Sequence, residues 1–195
     1  AYKSFKDHTG LSECVILQTC NRVEIFGSGN NFDREEIKKT WASLSGLEEN
    51  SFKDNLEWSQ DSDVYEHLLK LTSGLDSMVV GEEQIMTQIK DSIQSAKKLK
   101  VSGESLNTLF DKAIRVGTRV RTSTGISKGS ISVGSMAVKL AEENVDEMKS
   151  KKILLIGTGE AATLVAKSLT KRGYPFFISS RTVERSTSFS KTVGG

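Results

Sequence analysis

Six consecutive residues, Thr19-Cys20-Asn21-Arg22-Val23-Glu24, bring a thiol, a guanidinium and a carboxylate together near the start of the chain. Apolar runs at 14–17 and 23–26 lie on either side of Cys20 and predict two short strands that meet close to it. Because residues two apart on an extended chain project to the same side, Cys20, Arg22 and Glu24 are expected to share one face. A neighbouring guanidinium lowers the pKa of a thiol, and the thiolate is the reactive form. The pattern predicts either a nucleophilic Cys20 or, as for most free cysteines, a small buried hydrophobic residue.

A glycine pattern further along the chain has the spacing of a dinucleotide-binding loop. The apolar run 152–156 is typical of a buried parallel strand and leads into Gly157-Thr158-Gly159-Glu160-Ala161-Ala162, a helical pattern and a second strand at 176–178. Gly157 permits the tight turn, Gly159 lets the backbone approach a pyrophosphate, and Ala162 allows helix and strand to pack closely. The β-α-β context favours a dinucleotide site over a glycine-bearing turn that binds no nucleotide.

The residues after the second strand indicate which nicotinamide cofactor would bind. NAD sites commonly place an acidic residue there for the ribose hydroxyls. This chain has Ser179-Ser180-Arg181-Thr182 instead, and the Ser180 hydroxyl and the Arg181 guanidinium suit a 2′-phosphate. The predicted cofactor is therefore NADPH, although Arg181 has an alternative partner in Glu184 on the following helix.

The amino-acid composition limits the classes of protein to which the chain can belong. Of 195 residues, 36% are hydrophobic and 27% are charged, as in globular proteins rather than disordered or fibrous ones. A net charge of +2 provides no overall basic field, and no apolar run approaches the ~18 residues of a membrane span. Cys14 and Cys20 lack a CxxC spacing, which favours a reducing, cytoplasmic location over a disulfide framework. With only His8 and His67 present, no metal site is expected.

Helical patterns separate the two candidate sites. Asp33 is expected to cap a helix that ends near Gly46, with Glu36 completing a capping box. Apolar residues at helical spacing predict further helices at 61–71, from about 85, and from 104 to about 121.

The helix predicted from 104 carries Lys112, Arg115 and Arg119 at i, i+3 and i+7. This basic stripe either contacts a phosphate backbone or is an ordinary solvated face. The polar run 122–132 is the best linker candidate, and an amphipathic helix with Met136 and Leu140 on its inward face is expected after it.

These elements predict an α/β fold class: an N-terminal α+β catalytic and substrate-recognition domain at 1–125, a linker and connecting helix at 126–150, and a partial Rossmann-type NADP-binding domain at 151–195. The chain begins Ala1-Tyr2 without methionine and stops soon after a second helical pattern begins. It is therefore expected to be a piece of a longer protein.

Three motifs spread over nearly the whole chain resemble, in the same order, those of the glutamyl-tRNA reductases, which open the five-carbon route to tetrapyrroles (porphyrins). They are 18–24, the run from His67 to Glu82 that contains Ser73-Gly74-Leu75-Asp76-Ser77-Met78-Val79-Val80-Gly81-Glu82, and Ile131-Ser132-Val133-Gly134-Ser135 ahead of the glycine loop. The resemblance implies NADPH-dependent reduction of glutamyl-tRNA(Glu) to glutamate-1-semialdehyde. It also implies a V-shaped homodimer and an aminomutase as the partner that takes the semialdehyde.

The resemblance further implies roles for particular residues. Cys20 would attack the ester carbonyl to give a thioester and free tRNA, and His67 matches an activity-critical histidine that could move a proton to or from the leaving ribose oxygen. Arg22 could hold the α-carboxylate or the side-chain carboxylate of the substrate. Positions that match the glutamate pocket are Thr19, Asn21, Arg22, Ser77, Glu82, Glu83, Gln84 and Gln88, and positions that match the NADP loop are Gly157, Thr158, Gly159, Glu160, Ala161 and Ala162.

The chain departs from the family pattern at Glu83, where a proline that presets helix entry is usual. Without the resemblance, His67 is a helix-face histidine with a satisfied hydrogen bond, Ser77 belongs to a turn, and Gln84 and Gln88 form a polar helix face. Two other functions stay open. A shikimate-dehydrogenase-like NADP oxidoreductase would need the glycine loop but not Cys20, and a non-catalytic tRNA-binding module would use the basic stripe.

Overall fold

A β-hairpin lies at the centre of the first of two units, residues 1–128. Its strands β1 (Glu13–Gln18) and β2 (Val23–Ser28) pair antiparallel, with Gln18 opposite Val23, which confirms the two predicted strands. The computed structural model describes residues 1–19, 21–51, 56–77, 79–127 and 132–194. Cys20, and Met78 and Ile131 of the family motifs, therefore lie outside the described residues.

In the described part of this unit, five helices pack around the hairpin: α1 (Tyr2–His8), α2 (Arg34–Ser45), α3 (Ser62–Ser73), α4 (Gln84–Lys98) and α5 (Glu104–Thr124), with a short 3₁₀ turn at Glu49–Ser51. Because successive residues of a strand face opposite sides, both faces of β1 are covered. Val15 and Leu17 join Phe26 in a core with α3, α4 and α5, whereas Cys14 packs on the other side with residues of α1 and α2.

The caps of α2 show how local chemistry sets its ends. The Asp33 carboxylate accepts the amides of Glu35 (2.8 Å) and Glu36 (3.4 Å), and Gly46 closes the helix with φ of 69°, as predicted. The Glu36 carboxylate does not complete a capping box, because it pairs with Lys39 at 2.7 Å.

The end of α5 differs from the prediction. The helix continues to Thr124 and ends at Gly125 in the left-handed conformation, so the first three residues of the predicted linker 122–132 are helical. The threonine hydroxyls there donate to carbonyls one turn earlier, which lets polar residues extend the helix. Residues 128–131 of that linker lie outside the described residues.

The second unit, 129–195, contains α6 (Val133–Asn144), a 3₁₀ turn at Met148–Ser150, β3 (Ile153–Ile156), α7 (Glu160–Lys171), β4 (Phe176–Ser179) and α8 (Val183–Val193). Strands β3 and β4 are parallel, with Ile153 opposite Phe176, which confirms the β-α-β unit. One face of this sheet packs on helices, but Leu154, Ile156 and Phe177 are 58%, 77% and 63% exposed. The expectation of a buried strand is therefore wrong for one face of β3.

Helix α6 packs on α7 through Gly134, where an added Cβ would lie 2.3 Å from the Leu164 carbonyl carbon. This close backbone approach turns Gly134 and Val138 inward, and Val138 is 2% exposed. Met136 and Leu140, predicted to face inward, are 41% and 58% exposed, so that prediction is wrong.

Within the described ranges, no helix is long and apolar enough to cross a membrane. The same residues hold no group of three or more His, Cys, Asp or Glu side chains that could bind a metal ion.

Candidate active site

The turn of the β1–β2 hairpin is organised by Thr19. Its amide donates to the Arg22 carbonyl at 2.9 Å, and its hydroxyl oxygen accepts the amides of Asn21 (3.2 Å) and Arg22 (3.0 Å). A hydroxyl that accepts backbone amides two and three residues on is a local turn device. Thr19 thus fixes the backbone of Asn21 and Arg22. In the sequence, Cys20 directly precedes these two residues and Val23 directly follows them.

Arg22 points to two carboxylates. Its Nη1 donates to Asp76 Oδ2 at 3.2 Å, its Nη2 donates to the Asp76 carbonyl at 2.6 Å, and Nη1 lies 3.6 Å from Glu24 Oε1. The first two bonds fix the plane of the guanidinium, because they use two of its nitrogens at once. Glu24 and Arg22 therefore share one face of β2 and its turn, as the alternation of the strand predicts.

His67 joins the same group from α3. Its Nε2 lies 2.9 Å from Glu24 Oε2 and its Nδ1 lies 3.3 Å from Asp76 Oδ2, while its ring stacks on Phe26 at an angle of 19°. The hydrogen bond to Glu24 raises the pKa of His67 above its ordinary value; burial opposes this shift and the Asp76 charge adds to it. The environment therefore favours the imidazolium form. We call Arg22, Glu24, His67 and Asp76 the charged cluster.

One atom of the charged cluster has spare hydrogen-bonding capacity. Glu24 Oε1 is buried and has no hydrogen-bond partner among the described residues, although Arg22 Nη1 is within ion-pair distance. A buried carboxylate oxygen without a donor is costly, so this position suits a further donor.

Of the two cysteines, Cys14 lies within the described residues. Cys14 is fully buried, and this burial raises the pKa of its thiol to about 12. Cys14 is therefore a core residue and is unsuited to nucleophilic attack. Cys20, the predicted nucleophile, lies outside the described residues, between Thr19 and Asn21.

The segment that carries Asp76 is closed by Arg121, which the sequence reasoning missed. Arg121 on α5 donates to the carbonyls of Thr72 (2.7 Å), Gly81 (3.1 Å) and Glu82 (2.8 Å), and Gly81 donates its amide to the Gly74 carbonyl at 2.8 Å. Gly74 has φ of 77°, and an added Cβ would lie 3.0 Å from Gly81 Cα, so the backbone favours glycine there. On α5, Arg121 lies on the same side as the buried residues Phe110, Ala113 and Gly117. An arginine at a position where the helical pattern expects a buried residue is the signal by which the sequence could have identified it.

The other predicted pocket residues surround the segment before α4. Ser77 is half-buried, Glu83 is exposed and stands at the N-cap of α4 with φ of −87°, and the helix begins at Gln84 without the usual proline. Gln84 and Gln88 lie in its first two turns. Within the described part of the chain, Ser77, Glu83 and Gln88 make no hydrogen bond to the charged cluster, so the structure joins Arg22 and His67 through Glu24 and Asp76 but does not join these residues to them.

The glycine loop of the second unit is open. Gly157 has φ of 109° and donates its amide to the Ser179 carbonyl at 2.8 Å, while Gly159 is the N-cap of α7. An added Cβ at Gly157 or Gly159 would meet no atom within 4 Å, and α7 has no side-chain N-cap bond. The first-turn amides of α7 can therefore receive a phosphate group, because no Cβ fills the space at either glycine.

The residues predicted to determine whether NADP or NAD binds follow β4. The Ser180 hydroxyl donates to the Thr182 carbonyl at 2.6 Å, and Arg181 is exposed. Among the described residues Arg181 forms no ion pair with Glu184, the alternative partner. Its guanidinium remains available to a ligand.

Comparison with known proteins follows the division into two units. Residues 1–124 match the family model "Glutamyl-tRNAGlu reductase, N-terminal domain", and residues 139–195 match the model "Shikimate / quinate 5-dehydrogenase". A curated glutamyl-tRNA reductase of Cenarchaeum symbiosum (strain A) is 60% identical over 195 residues, which are 100% of this chain and 47% of the relative. A second one, of Methanosarcina barkeri (strain Fusaro / DSM 804), is 40% identical over 97% of this chain and 41% of the relative.

A solved structure described as glutamyl-tRNA reductase from Methanopyrus kandleri aligns with a TM-score of 0.58 at 37% identity, covering 98% of this chain and 45% of that one. The chain thus spans about half the length of the curated relatives it matches. These matches confirm the predicted fold class, an α+β unit followed by a Rossmann-type unit.

Proposed function

Because the chain belongs to the glutamyl-tRNA reductase family, we propose that it acts in the NADPH-dependent reduction of glutamyl-tRNA(Glu) to glutamate-1-semialdehyde, the first step of the five-carbon route to tetrapyrroles. The reaction would pass through a thioester on Cys20. The observation that carries the proposal is the charged cluster, in which an oriented guanidinium and an imidazole paired with two carboxylates lie beside the turn to which Cys20 belongs in the sequence.

The first half of the reaction needs a nucleophile and an acid. The Cys20 thiolate would form a carbon–sulfur bond with the ester carbonyl carbon, and the carbon–oxygen bond to the terminal ribose of the tRNA would break. The leaving oxygen must gain a proton. His67 suits this role, because its hydrogen bond to Glu24 raises its pKa and favours the protonated ring that can act as the donor.

Arg22 suits recognition of the glutamyl group. The α-carboxyl carbon of glutamate is the ester carbon that reacts, so the free carboxylate of the substrate is the one on its side chain. This chemistry removes the α-carboxylate from the two alternatives for Arg22. Asp76 holds the guanidinium by a carboxylate and a carbonyl bond, and Arg22 keeps 30% of its side chain exposed for a ligand.

The residues of the second unit fit a dinucleotide. Gly157, Gly159 and the amides at the start of α7 would hold the pyrophosphate, since no Cβ occupies that space. Arg181 would hold a 2′-phosphate, joined by the Ser180 hydroxyl once it exchanges its bond to the Thr182 carbonyl for the ligand, which makes NADPH the proposed cofactor. When bound, this cofactor supplies the hydride that converts the thioester into the aldehyde. The homodimer, the aminomutase partner and the cytoplasmic location stay predictions.

A single-turnover experiment without NADPH tests the proposal. Incubation of the intact protein with glutamyl-tRNA should release tRNA and leave a glutamyl adduct on Cys20, detected by mass spectrometry of the peptide. Cys14→Ala should keep the adduct because Cys14 is a buried core residue, whereas Cys20→Ser should abolish rapid formation of a thioester. Reduction by Cys20→Ser at a near-normal rate would refute the thioester route and favour the shikimate-dehydrogenase-like alternative.

A second experiment tests the nucleotide site. Gly159 has φ of −83° and open space around its missing Cβ, so Gly159→Ala should leave the melting temperature nearly unchanged. The added methyl group should nevertheless weaken NADPH binding, because it stands where the pyrophosphate approaches. Arg181→Ala should weaken NADPH binding far more than NADH binding. Equal losses for the two nucleotides would contradict the role in 2′-phosphate recognition.

A further inference from the structure

One face of α5 presents a row of cations. Lys112, Arg115 and Arg119 are all exposed, and at i, i+3 and i+7 they follow one side of the helix. The opposite side carries the buried residues Phe110, Ala113 and Gly117. We call Lys112, Arg115 and Arg119 the basic face of α5.

The three cations of the basic face are grouped on one helix side, whereas several lysines elsewhere are neutralised locally. Lys38, Lys39, Lys70, Lys97 and Lys139 each lie within 4.0 Å of a carboxylate, most of them on the same helix. Within the described residues, Lys112, Arg115 and Arg119 have no carboxylate partner, and the nearby Asp111 is taken by Lys97. The basic face is therefore a concentration of uncompensated positive charge on a protein whose net charge is only +2.

The composition of this face favours nucleic acid over protein as its partner. Protein interfaces usually have an apolar or aromatic centre. Thr118 lies between the cations and Thr122 and Ser123 follow them, and the hydroxyls of all three donate to carbonyls of the helix itself; Val116 is an exposed apolar side chain in this region. Guanidinium and ammonium groups with little apolar surface suit phosphates.

From these observations we propose that the basic face of α5 binds the phosphate backbone of the substrate tRNA. Seven residues separate Lys112 from Arg119, which corresponds to a rise of roughly 10 Å. Three cations over this length offer one charged contact each, so this face can neutralise about three phosphates of one strand. The proposal rests on the proposed function, which makes a tRNA the substrate.

The basic face and the charged cluster are connected through the same helix. Two residues beyond Arg119, Arg121 holds the segment that carries Asp76, and Asp76 contacts both Arg22 and His67. RNA bound to α5 would thus be linked to the elements that surround the proposed glutamyl site through the hydrogen bonds of Arg121 and the contacts of Asp76.

The test compares two triple variants of the intact protein that each remove three positive charges. The first is Lys112→Gln, Arg115→Gln and Arg119→Gln. The matched control is Lys6→Gln, Lys39→Gln and Lys139→Gln, three exposed lysines on other helices. Binding of deacylated tRNA(Glu) is measured by fluorescence anisotropy from 50 to 300 mM KCl, and each variant must keep the wild-type circular dichroism spectrum.

The first variant should lose about 0.7 in salt slope per lost phosphate contact, hence about 2 in total, and about a hundredfold in affinity at 0.1 M salt. The control should change affinity less than threefold. The proposal is overturned if the two variants bind tRNA equally well. It is also overturned if the first variant loses binding of an acidic peptide competitor but not binding of tRNA. If the triple variant does not fold, Arg115→Gln alone should lower the slope by about 0.7.

Reduction of a glutamyl thioester that carries no RNA distinguishes a failure of this proposal from a failure of the proposed function. The first variant should reduce it with NADPH at the wild-type rate, because the charged cluster and the glycine loop are intact. A wild-type protein that binds tRNA through this face but forms no Cys20 adduct would overturn the proposed function and leave the RNA contact standing.

Discussion

The N-terminus of α5 is capped by a side chain from a distant strand, and removing that cap should destabilise the first unit. Glu13 on β1 accepts the amides of Gly103 (3.0 Å), Ser105 (3.1 Å) and Leu106 (2.8 Å). Gly103, the N-cap residue, has no side chain to do this, and a Cβ there would lie 2.7 Å from Glu13 Oε1. A negative charge at a helix N-terminus is favourable for the helix dipole as well.

The size of the stability loss depends on how far water can replace each hydrogen bond that Glu13 accepts. The Ser105 amide is exposed, so water can substitute for the carboxylate there, whereas the bonds to Gly103 and Leu106 are partly buried. Two such bonds at about 1 kcal/mol each, with about 0.5 kcal/mol for the charge at the helix end, predict that Glu13→Ala lowers the free energy of unfolding by about 2.5 kcal/mol. Glu13→Gln, which keeps one acceptor, should lose about 1–1.5 kcal/mol.

Urea unfolding monitored by circular dichroism measures this loss, and thermal melting should show a decrease of roughly 5–10 °C for Glu13→Ala. Glu104→Ala is the matched control, since Glu104 is an exposed carboxylate in the first turn of the same helix and should change stability by less than about 0.5 kcal/mol. A loss below about 0.5 kcal/mol for Glu13→Ala would refute the capping argument.

The pH dependence of the same variants is a second check. Burial acts to raise the pKa of the Glu13 carboxyl, but the hydrogen bonds from Leu106, Ser105 and Gly103 outweigh it, so the pKa is lowered. A group with a lowered folded-state pKa contributes stability above its unfolded pKa and loses it as the pH falls through the folded value. The difference in the free energy of unfolding between wild type and Glu13→Gln should therefore have its full size above pH 4.5 and decrease below that pH.

Three further changes test the charged cluster and the packing of α5. Glu24→Gln should lower the pKa of His67, followed by NMR titration of its imidazole, because the hydrogen bond to Glu24 is the main cause of the raised value; an unchanged titration would contradict this cause. Since a raised folded-state pKa stabilises the protein below pH 6.5 and not above the folded value, this variant should also lose stability mainly at acidic to neutral pH. Asp76→Asn should lower the rate of Cys20 adduct formation about tenfold, since it removes the charge shared by Arg22 and His67, whereas Asp63→Asn on the exposed start of α3 should not. Gly117→Ala should cost about 1–3 kcal/mol of stability, because its Cβ would lie 2.6 Å from the Thr72 carbonyl carbon, and a neutral result would show that α3 and α5 can separate without cost.

Features that depend on neighbouring residues were predictable from the sequence. The Asp33 cap, the left-handed Gly46, the hairpin strands and the β-α-β unit each follow from side-chain chemistry or φ preferences over a few residues. Predictions of which face is buried were less accurate. Met136 and Leu140 are exposed because the position of α6 is set by the close approach of Gly134 to α7, which periodicity alone does not reveal.

The sequence by itself determined the family of the chain, its two kinds of structural unit and the positions of Cys20, Arg22, His67 and the glycine loop. Only the tertiary structure decided which charges meet. Glu24 reaches His67 across 43 residues, Arg121 holds the Gly81 carbonyl across 40, and Glu13 caps a helix that starts about 90 residues later. Such contacts depend on how buried apolar faces bring α3 and α5 onto the hairpin, and that burial is non-directional, so it leaves no local pattern in the residues that it brings together.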